Sequence, residues 1–151
     1  MSSPRETAYA ALFSKLSAAL YGSVSNMSRT LKHWSDVSPT DMPALFQAQT
    51  SQEAVAERGK PTKWILGATL YLYVSTPDSV TPPSTQMNTI LDLIDNALAP
   101  DNIGQQTLGV PSIVMWARIK GKVETDEGTL GTIAVAKIPV EIVAAGLGAG
   151  N

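Results

Sequence analysis

The side chains that could support catalysis are few and widely separated. His33 is the only histidine among 151 residues and there is no cysteine, so thiolate metal sites are excluded and a catalytic triad would depend on that one imidazole. Asp92 and Asp95 could form a carboxylate pair for acid–base work, but their spacing places them on the outer face of a predicted helix. These residues therefore predict no catalytic site and no metal site.

Two further groups of residues have side chains found in functional sites, but the surrounding sequence does not support such a site. The acidic group Glu124, Asp126 and Glu127 lies at the tip of a predicted hairpin, where solvated charge is the simpler interpretation. The sequence Gly59-Lys60-Pro61-Thr62 resembles part of a phosphate-binding loop, but the upstream glycine is replaced by Ala54 and a proline interrupts the motif. We expect a turn there, no cofactor, and a protein that is not an enzyme.

Composition narrows the class of partner. The formal net charge is -2 and charged residues make up 16% of the chain, which argues against binding nucleic acid by neutralising phosphates. The absence of a long apolar run predicts no membrane partner and a soluble protein. The lack of cysteine suits assembly in a reducing cytoplasm. A surface with so little charge is common where a protein is covered by other protein subunits.

Two amphipathic helices are predicted from the spacing of apolar residues. The first begins with Ser3 as N-cap, Pro4 in the first turn and Glu6 placed to reach back to the cap, and it ends near Gly22. The second begins at a cap provided by Thr81 or Ser84 and ends at residues 100–102. The two apolar stripes have the same spacing: Tyr9, Leu12, Phe13, Leu16 and Leu20 in the first, and Met87, Ile90, Leu91, Ile94 and Leu98 in the second.

The strongest strand signal covers residues 63–74. Its even positions are apolar and are expected to face the helices, whereas its odd positions include Tyr71 and Tyr73 and form a second face that is also largely apolar. Weaker alternation predicts strands at residues 26–34 and 43–49. Residues 50–61 have no clear period and are predicted to form a long hairpin loop or one frayed helical turn. As a loop, this segment either contacts a partner or is merely mobile.

Residues 113–123 and 132–143 are predicted to form a hairpin with its turn at Glu127 and Gly128. That turn would place Ala117 opposite Ile138 and give the hairpin one fully apolar face. Pro139 would then place the last strand at a sheet edge or at a bulge, because proline has no backbone N–H to donate.

These elements predict an α+β fold in which an antiparallel sheet of about five strands has two amphipathic helices packed on one face. We expect residues 1–143 to form a single domain, with residues 144–151 as a flexible C-terminal tail. The other sheet face and the predicted loop are interpreted as an interface with other protein subunits. The residues assigned to that interface are Tyr71, Tyr73, Trp116, Arg118, Lys120, Lys122, Glu53, Arg58 and Lys60.

In the order of these features, the chain resembles the tail terminator (tail completion) proteins of long-tailed bacteriophages. The resemblance rests on the first helix, Arg29 with Trp34, Met42-Pro43-Ala44-Leu45-Phe46, Trp64 before Leu70-Tyr71-Leu72-Tyr73, Asn88, Leu91 and Leu98 in the second helix, Gln106-Thr107-Leu108-Gly109, Gly121 and Ile138-Pro139-Val140.

The resemblance implies a virion protein at the tail–neck junction, assembled in the host bacterial cytoplasm. It would form a hexameric ring that caps the tail tube, ends tube polymerisation and joins a head–tail connector or head completion protein, while genomic DNA passes through without sequence-specific binding. One alternative is a tail tube or head completion protein of the same region. A second alternative is a small-ligand or carbohydrate-binding module that uses the tryptophans and tyrosines.

Overall fold

A computed structural model describes residues 3–76 and 80–145. Two α-helices and six β-strands occur in this part of the chain, together with two short 3₁₀ helices at Trp34–Asp36 and Pro39–Asp41. In chain order the main elements are α1 (Pro4–Ala19), β1 (Asn26–Ser28), β2 (Ala44–Val55), β3 (Lys63–Ser75), α2 (Pro83–Ala97), β4 (Val114–Ile119), β5 (Glu124–Leu130) and β6 (Ile133–Ala145).

The six strands form one sheet in the order β1-β2-β3-β6-β4, and β5 also pairs with β6. Every pairing is antiparallel except that of β1 with β2, which is parallel. The long strands β3 and β6 pair over their whole length, from Lys63 opposite Ala145 to Ser75 opposite Ile133. The predicted α+β fold is therefore confirmed, with one strand more than expected.

Both helices pack on one face of the sheet and form the main core with it. In α1 and α2 the predicted apolar stripes are buried except for Phe13 and Leu91, which are half-buried. The even positions of β3 face these helices, as expected from alternation, and Leu66, Leu70 and Leu72 are fully buried. Burial of such side chains is the main favourable contribution to folding.

The start of α1 has the predicted cap but a different role for its acidic residue. Ser3 accepts a hydrogen bond from the backbone N–H of Glu6 at 3.0 Å. Glu6 does not reach back to the cap, because its carboxylate pairs with both terminal nitrogens of Arg29, at 3.0 Å for Nη2. Hydrogen bonding to the Arg29 guanidinium lowers the pKa of Glu6. This pair connects the helix to the segment that follows β1.

Replacement of Glu6 by glutamine is expected to make stability less dependent on pH in the acid range. A carboxyl group whose pKa is lowered by folding stabilises the folded state above its unfolded pKa and loses that contribution as the pH falls through the folded pKa. The pair is partly exposed, so the loss at neutral pH is less than about 1 kcal/mol. Urea denaturation at pH 7 and pH 3 measures this, with Glu124→Gln as the control. Equal acid sensitivity of Glu6→Gln and wild type would contradict the prediction.

The start of α2 is capped from a distant part of the chain. Neither Thr81 nor Ser84 provides the predicted side-chain cap, since the N-cap position is Pro82. Instead the Glu127 carboxylate on β5 accepts the backbone N–H of Ser84 at 2.7 Å. A carboxylate at a helix N-terminus satisfies a free donor and interacts favourably with the helix dipole. Glu127, predicted to be a solvated charge, therefore joins β5 to α2.

Glu127→Ala is accordingly expected to lower the free energy of unfolding by about 0.5–1 kcal/mol. Glu124→Ala, at the first residue of the same strand, is the matched control and is expected to have little effect. Chemical denaturation of the two variants gives the comparison. Indistinguishable stabilities would show that the Glu127 cap contributes nothing.

The strand predicted at residues 26–34 is wrong beyond its first three residues. Only Asn26–Ser28 pairs with β2, and residues 34–41 contain the two 3₁₀ helices. Each 3₁₀ helix begins with a side chain that accepts a nearby backbone N–H: His33 from Ser35, and Ser38 from Thr40. Such local bonds compete with the strand ladder, and hydrophobic alternation does not report them.

The loop predicted at residues 50–61 is also wrong in its first half. β2 continues to Val55 and pairs with β3 through a bulge between Gln49 and Gln52. At this bulge Gly67 of β3 leaves room for the opposing chain, because a Cβ there would lie 2.7 Å from Thr50 Oγ1. Residues 49–54 of β2 carry exposed side chains at a sheet edge, so their sequence shows no alternation of apolar and polar positions.

The predicted final hairpin is wrong in its pairing. β4 pairs with the far end of β6, so Ala117 faces Ile142 instead of Ile138, and β5 forms the hairpin with β6. A bulge between Val114 and Trp116 turns Val114 into the main core and leaves Met115 44% exposed. Alternation gives the correct face for Trp116, Ala117 and Arg118, but the bulge reverses it at Val114 and Met115, and alternation does not fix the pairing partner.

Pro139, for which a sheet edge or a bulge was predicted, lies in the interior of the sheet at the gap between β4 and β5. Its carbonyl accepts the backbone N–H of Lys120 at 3.1 Å, on the side where β4 ends and β5 has not begun. The missing N–H of a proline is tolerated there because no residue of β4 or β5 is paired with Pro139 on that side. Gly121, with φ of 115°, passes close to the proline ring.

β6 extends to Ala145, two residues into the predicted flexible tail, and Ala144 is fully buried. The remaining tail residues, 146–151, lie outside the described residues. The boundary of the strand was missed because two alanines followed by glycine give little strand signal.

Candidate functional site: the sheet face away from the helices

One end of the sheet face away from the helices is covered by the chain's own residues 29–43. The buried residues of this second cluster are Val37, Met42, Ala44, Phe46 and Tyr73, with Trp34, Tyr71, Ile133 and Val135 packed around them. This cluster lies on the opposite side of the sheet from the main core. We call residues 29–43 the cover segment.

Tyr73 belongs to this cluster and is almost fully buried, although it also lines the groove beside the cover segment. It is 3% exposed, its ring lies 5.5 Å from that of Phe46, and its hydroxyl donates to the Lys32 carbonyl at 2.6 Å. Burial raises the pKa of Tyr73. The prediction that Tyr73 is an interface residue is corrected, because the cover segment already occupies its surface.

Beside the cover segment lies a groove of about 640 Å³. Tyr71 is half-buried in its floor, with the Lys137 ammonium 5.9 Å from the ring centre. The charged side chains around it are Lys32, Lys137, Glu124 and Asp126, whose formal charges cancel. Its remaining lining residues include Leu31, His33, Trp34, Leu130 and Val135. The groove therefore has apolar and aromatic walls without a strong electrostatic preference.

The other end of this face carries a basic group on β4. The Arg118 guanidinium stacks over the Trp116 ring at 4.1 Å, and both side chains share the face away from the helices. Lys120 forms an ion pair with Glu141 of β6 at 3.3 Å. Lys122 is exposed in the connection to β5. An aromatic ring under a guanidinium beside exposed charge is a common composition of protein interfaces.

Glu53 lies across the sheet from this basic group. The pairings Glu53 with Ile65, Ile65 with Val143 and Val143 with Trp116 form one row of residues on the same face. With about 4.8 Å between neighbouring strands, Glu53 and Trp116 are roughly 14 Å apart at opposite edges of the sheet.

The remaining predicted interface residues lie in the turn between β2 and β3. Arg58 and Lys60 are exposed, and Lys60 pairs with Glu57 at 3.1 Å. This turn adjoins the row that contains Glu53. Tyr71 is six residues from Ile65 along β3, a distance of about 20 Å. The structure thus places Trp116, Arg118, Lys120, Glu53 and the turn at one end of the sheet, and Tyr71 at the other.

The described residues do not contain a group of three His, Asp or Glu side chains that could hold a metal ion. His33 bonds to Ser35, its neighbour in a surface turn, and lies 5.4 Å from the Trp34 ring. Within residues 3–76 and 80–145, neither helix has the length and apolar character needed to cross a membrane.

Comparison with known proteins gives a likeness of fold. The chain matches a solved structure described as the virion of a native gene transfer agent particle, with a TM-score of 0.55 over 91% of this chain and 94% of the matched chain. The fold is shared. Sequence identity is 5%. No family model and no curated protein sequence matches.

Sequence reasoning missed the cover segment and the groove beside it. Trp34 and Val37 were the available signals, since apolar residues in a turn-rich segment often cover a sheet face. Their spacing follows neither the helix nor the strand period, so periodicity could not place them.

Proposed function

We propose that this protein is a structural component of a phage or phage-like virion that forms a closed ring on the end of the tail tube. The ring has six copies by its resemblance to the tail terminator proteins. It ends tube polymerisation and joins the tail to the head-side connector or head completion protein. Genomic DNA passes through it without sequence-specific binding, and the protein resides at the tail–neck junction after assembly in the bacterial cytoplasm.

The observation that carries this proposal is the fold match over nearly the whole chain to a component of a gene transfer agent virion. That structure is described as a virion, so the matched chain belongs to an assembled particle. The residue resemblance to tail terminators supports the finer role of capping the tube. The sheet face on which exposed Arg118 stacks over half-buried Trp116 supports assembly with other protein subunits.

The ligand-binding alternative is disfavoured by the placement of its aromatic residues. Trp64 packs on the helix side with Arg5 at 4.4 Å from its ring, Trp34 belongs to the cover segment, and Trp116 lies at an outer strand. Carbohydrate and small-ligand sites need a few groups that converge on one concave surface. Of the three tryptophans only Trp34 lines the groove beside the cover segment, where it lies with Tyr71 and Tyr73, so the aromatic set that this alternative requires is only partly brought together.

The experiment that tests the proposed function combines native mass spectrometry with electron microscopy. We expect purified protein, alone or with tail tube protein, to give closed rings of six copies, and short tubes capped at one end. Long tubes formed by this protein alone would indicate a tube protein, since ring and tube differ in whether the rotation closes. A strict monomer in both preparations would contradict any ring.

A further inference from the structure

At one end of the molecule, the two outer edges of the sheet span the same rows of paired residues. β1 covers only the first three residues of β2, so residues 47–55 have a strand on one side alone within the described residues. Following the rows across β3 and β6, Gln49 is level with Ile119 and Ala54 is level with Val114. The uncovered length of β2 and the whole of β4 therefore occupy the same rows at opposite edges.

The directions of these two strands also match. β2, β3, β6 and β4 alternate in direction, so β2 and β4 run opposite to each other. A rotation about an axis parallel to the strands preserves these directions when it generates the next copy. β2 of one copy and β4 of the next would then lie antiparallel. Uncovered strand edges are recognised by other extended strands.

Charge distinguishes β4 from β5, the other strand that pairs with β6 on that side of the sheet. Glu53 is the only charged residue in 47–55, and it makes no ion pair among the described residues. Arg118 is the only charged residue of β4 and likewise has no ion pair in the described part of the chain. β5, in contrast, carries Glu124, Asp126 and Glu127 and would repel Glu53.

The edge of β4 is partly covered, which limits the kind of contact it can make. The Gln106 carbonyl accepts the outward N–H of Ala117 at 3.0 Å, and Gln106 is itself bonded to the end of α2 through Ala97 and Ala99. A continuous backbone ladder along β4 is therefore blocked near Ala117. Side chains on the face away from the helices remain accessible, and Arg118 is exposed there.

We propose that successive copies in the ring meet edge to edge, with β2 of one copy beside β4 of the next and Glu53 against Arg118. In this arrangement Glu53 is level with Trp116, and Arg118 is its diagonal neighbour two residues along, within reach of a long side chain. The contact joins two different surfaces of the same chain, which is the kind that generates rings. This inference rests on the proposed ring and adds which surfaces form it.

Cross-linking tests the arrangement directly, because the chain has no cysteine of its own. Glu53 and Arg118 are replaced together by cysteine and treated with a bis-maleimide shorter than the roughly 14 Å that separates the two edges within one chain. We expect a ladder of linked species on denaturing gels that ends at the copy number of the ring. Glu53→Cys alone and Arg118→Cys alone should give no ladder, since each contact needs one residue of each kind.

The matched control pairs Arg118→Cys with Asp92→Cys, an exposed position on the helix side, and should give no ladder. Wild-type rings without a ladder from the Glu53 and Arg118 pair would overturn the edge contact and leave the proposed function standing. Linked dimers from Glu53→Cys alone would also overturn it, by showing β2 against β2. Wild-type protein that never assembles would overturn both proposals.

A charge exchange gives a second measurement at the same positions. Glu53→Lys and Arg118→Glu should each weaken assembly at least tenfold, because each change places two like charges together. The double variant should restore assembly to near the wild-type level. Equal assembly of the two single variants and wild type, by analytical ultracentrifugation, would contradict the proposed pair.

Discussion

Replacing Ile138 by alanine is expected to lower the free energy of unfolding by about 2–5 kcal/mol. Ile138 is fully buried in the middle of β6, opposite Leu70 of β3, and its side chain belongs to the core beneath both helices. Removing three carbon atoms there loses apolar burial and leaves a cavity that the paired central strands cannot close. Urea denaturation followed by circular dichroism measures the loss.

The neighbouring residue provides the control for this prediction. Lys137 lies on the opposite face of the same strand and is exposed, so Lys137→Ala should change the free energy of unfolding by less than about 0.5 kcal/mol. Similar losses from the two substitutions would show that β6 does not present alternate residues to the two faces as described.

Tyr73→Ala is expected to destabilise the cover segment by about 3–5 kcal/mol, the usual cost of removing a buried aromatic side chain. The change removes the contact with Phe46 and the hydrogen bond to the Lys32 carbonyl. Because this cluster lies on the opposite face from the main core, the helices should keep their structure while residues 29–43 open more often. Trypsin cleavage after Arg29 and Lys32 under native conditions should become faster.

Tyr73→Phe distinguishes the contribution of the hydroxyl group from that of the ring. It keeps the packing against Phe46 and removes only the bond to the Lys32 carbonyl, so a cost of about 1 kcal/mol is expected. If trypsin cleaved the whole Tyr73→Ala chain at similar rates, with no preference for Arg29 and Lys32, the cover segment would not open separately from the rest of the fold.

The parts of the fold that sequence predicts well are those with a long apolar period. Both helices and β3 were placed correctly because their buried residues repeat over several turns or along a whole strand. The continuation of β2 past Gln49 was missed because an uncovered edge strand has exposed side chains on both faces. The pairing of β4 was missed because several registers of β6 present the same apolar face to it.

The candidate interface was predictable only in part, for the same reason. Alternation placed Trp116 and Arg118 on the face away from the helices, and the structure stacks them there. Alternation also placed Tyr73 on that face, but it could not show that the cover segment buries it. The position of Glu53 in the same row as Trp116 depends on three strand pairings, none of which the local sequence specifies.

Pro139 restricts the register of β6 in a way that the apolar residues of this strand do not. The alternation of alanine, isoleucine and valine along β6 would tolerate a slip of two residues against either neighbour. A slip of that size would carry the proline ring out of the interval between β4 and β5, to a position where a strand partner needs an N–H donor. The missing donor of this one residue thus restricts the register of β6 against both β4 and β5.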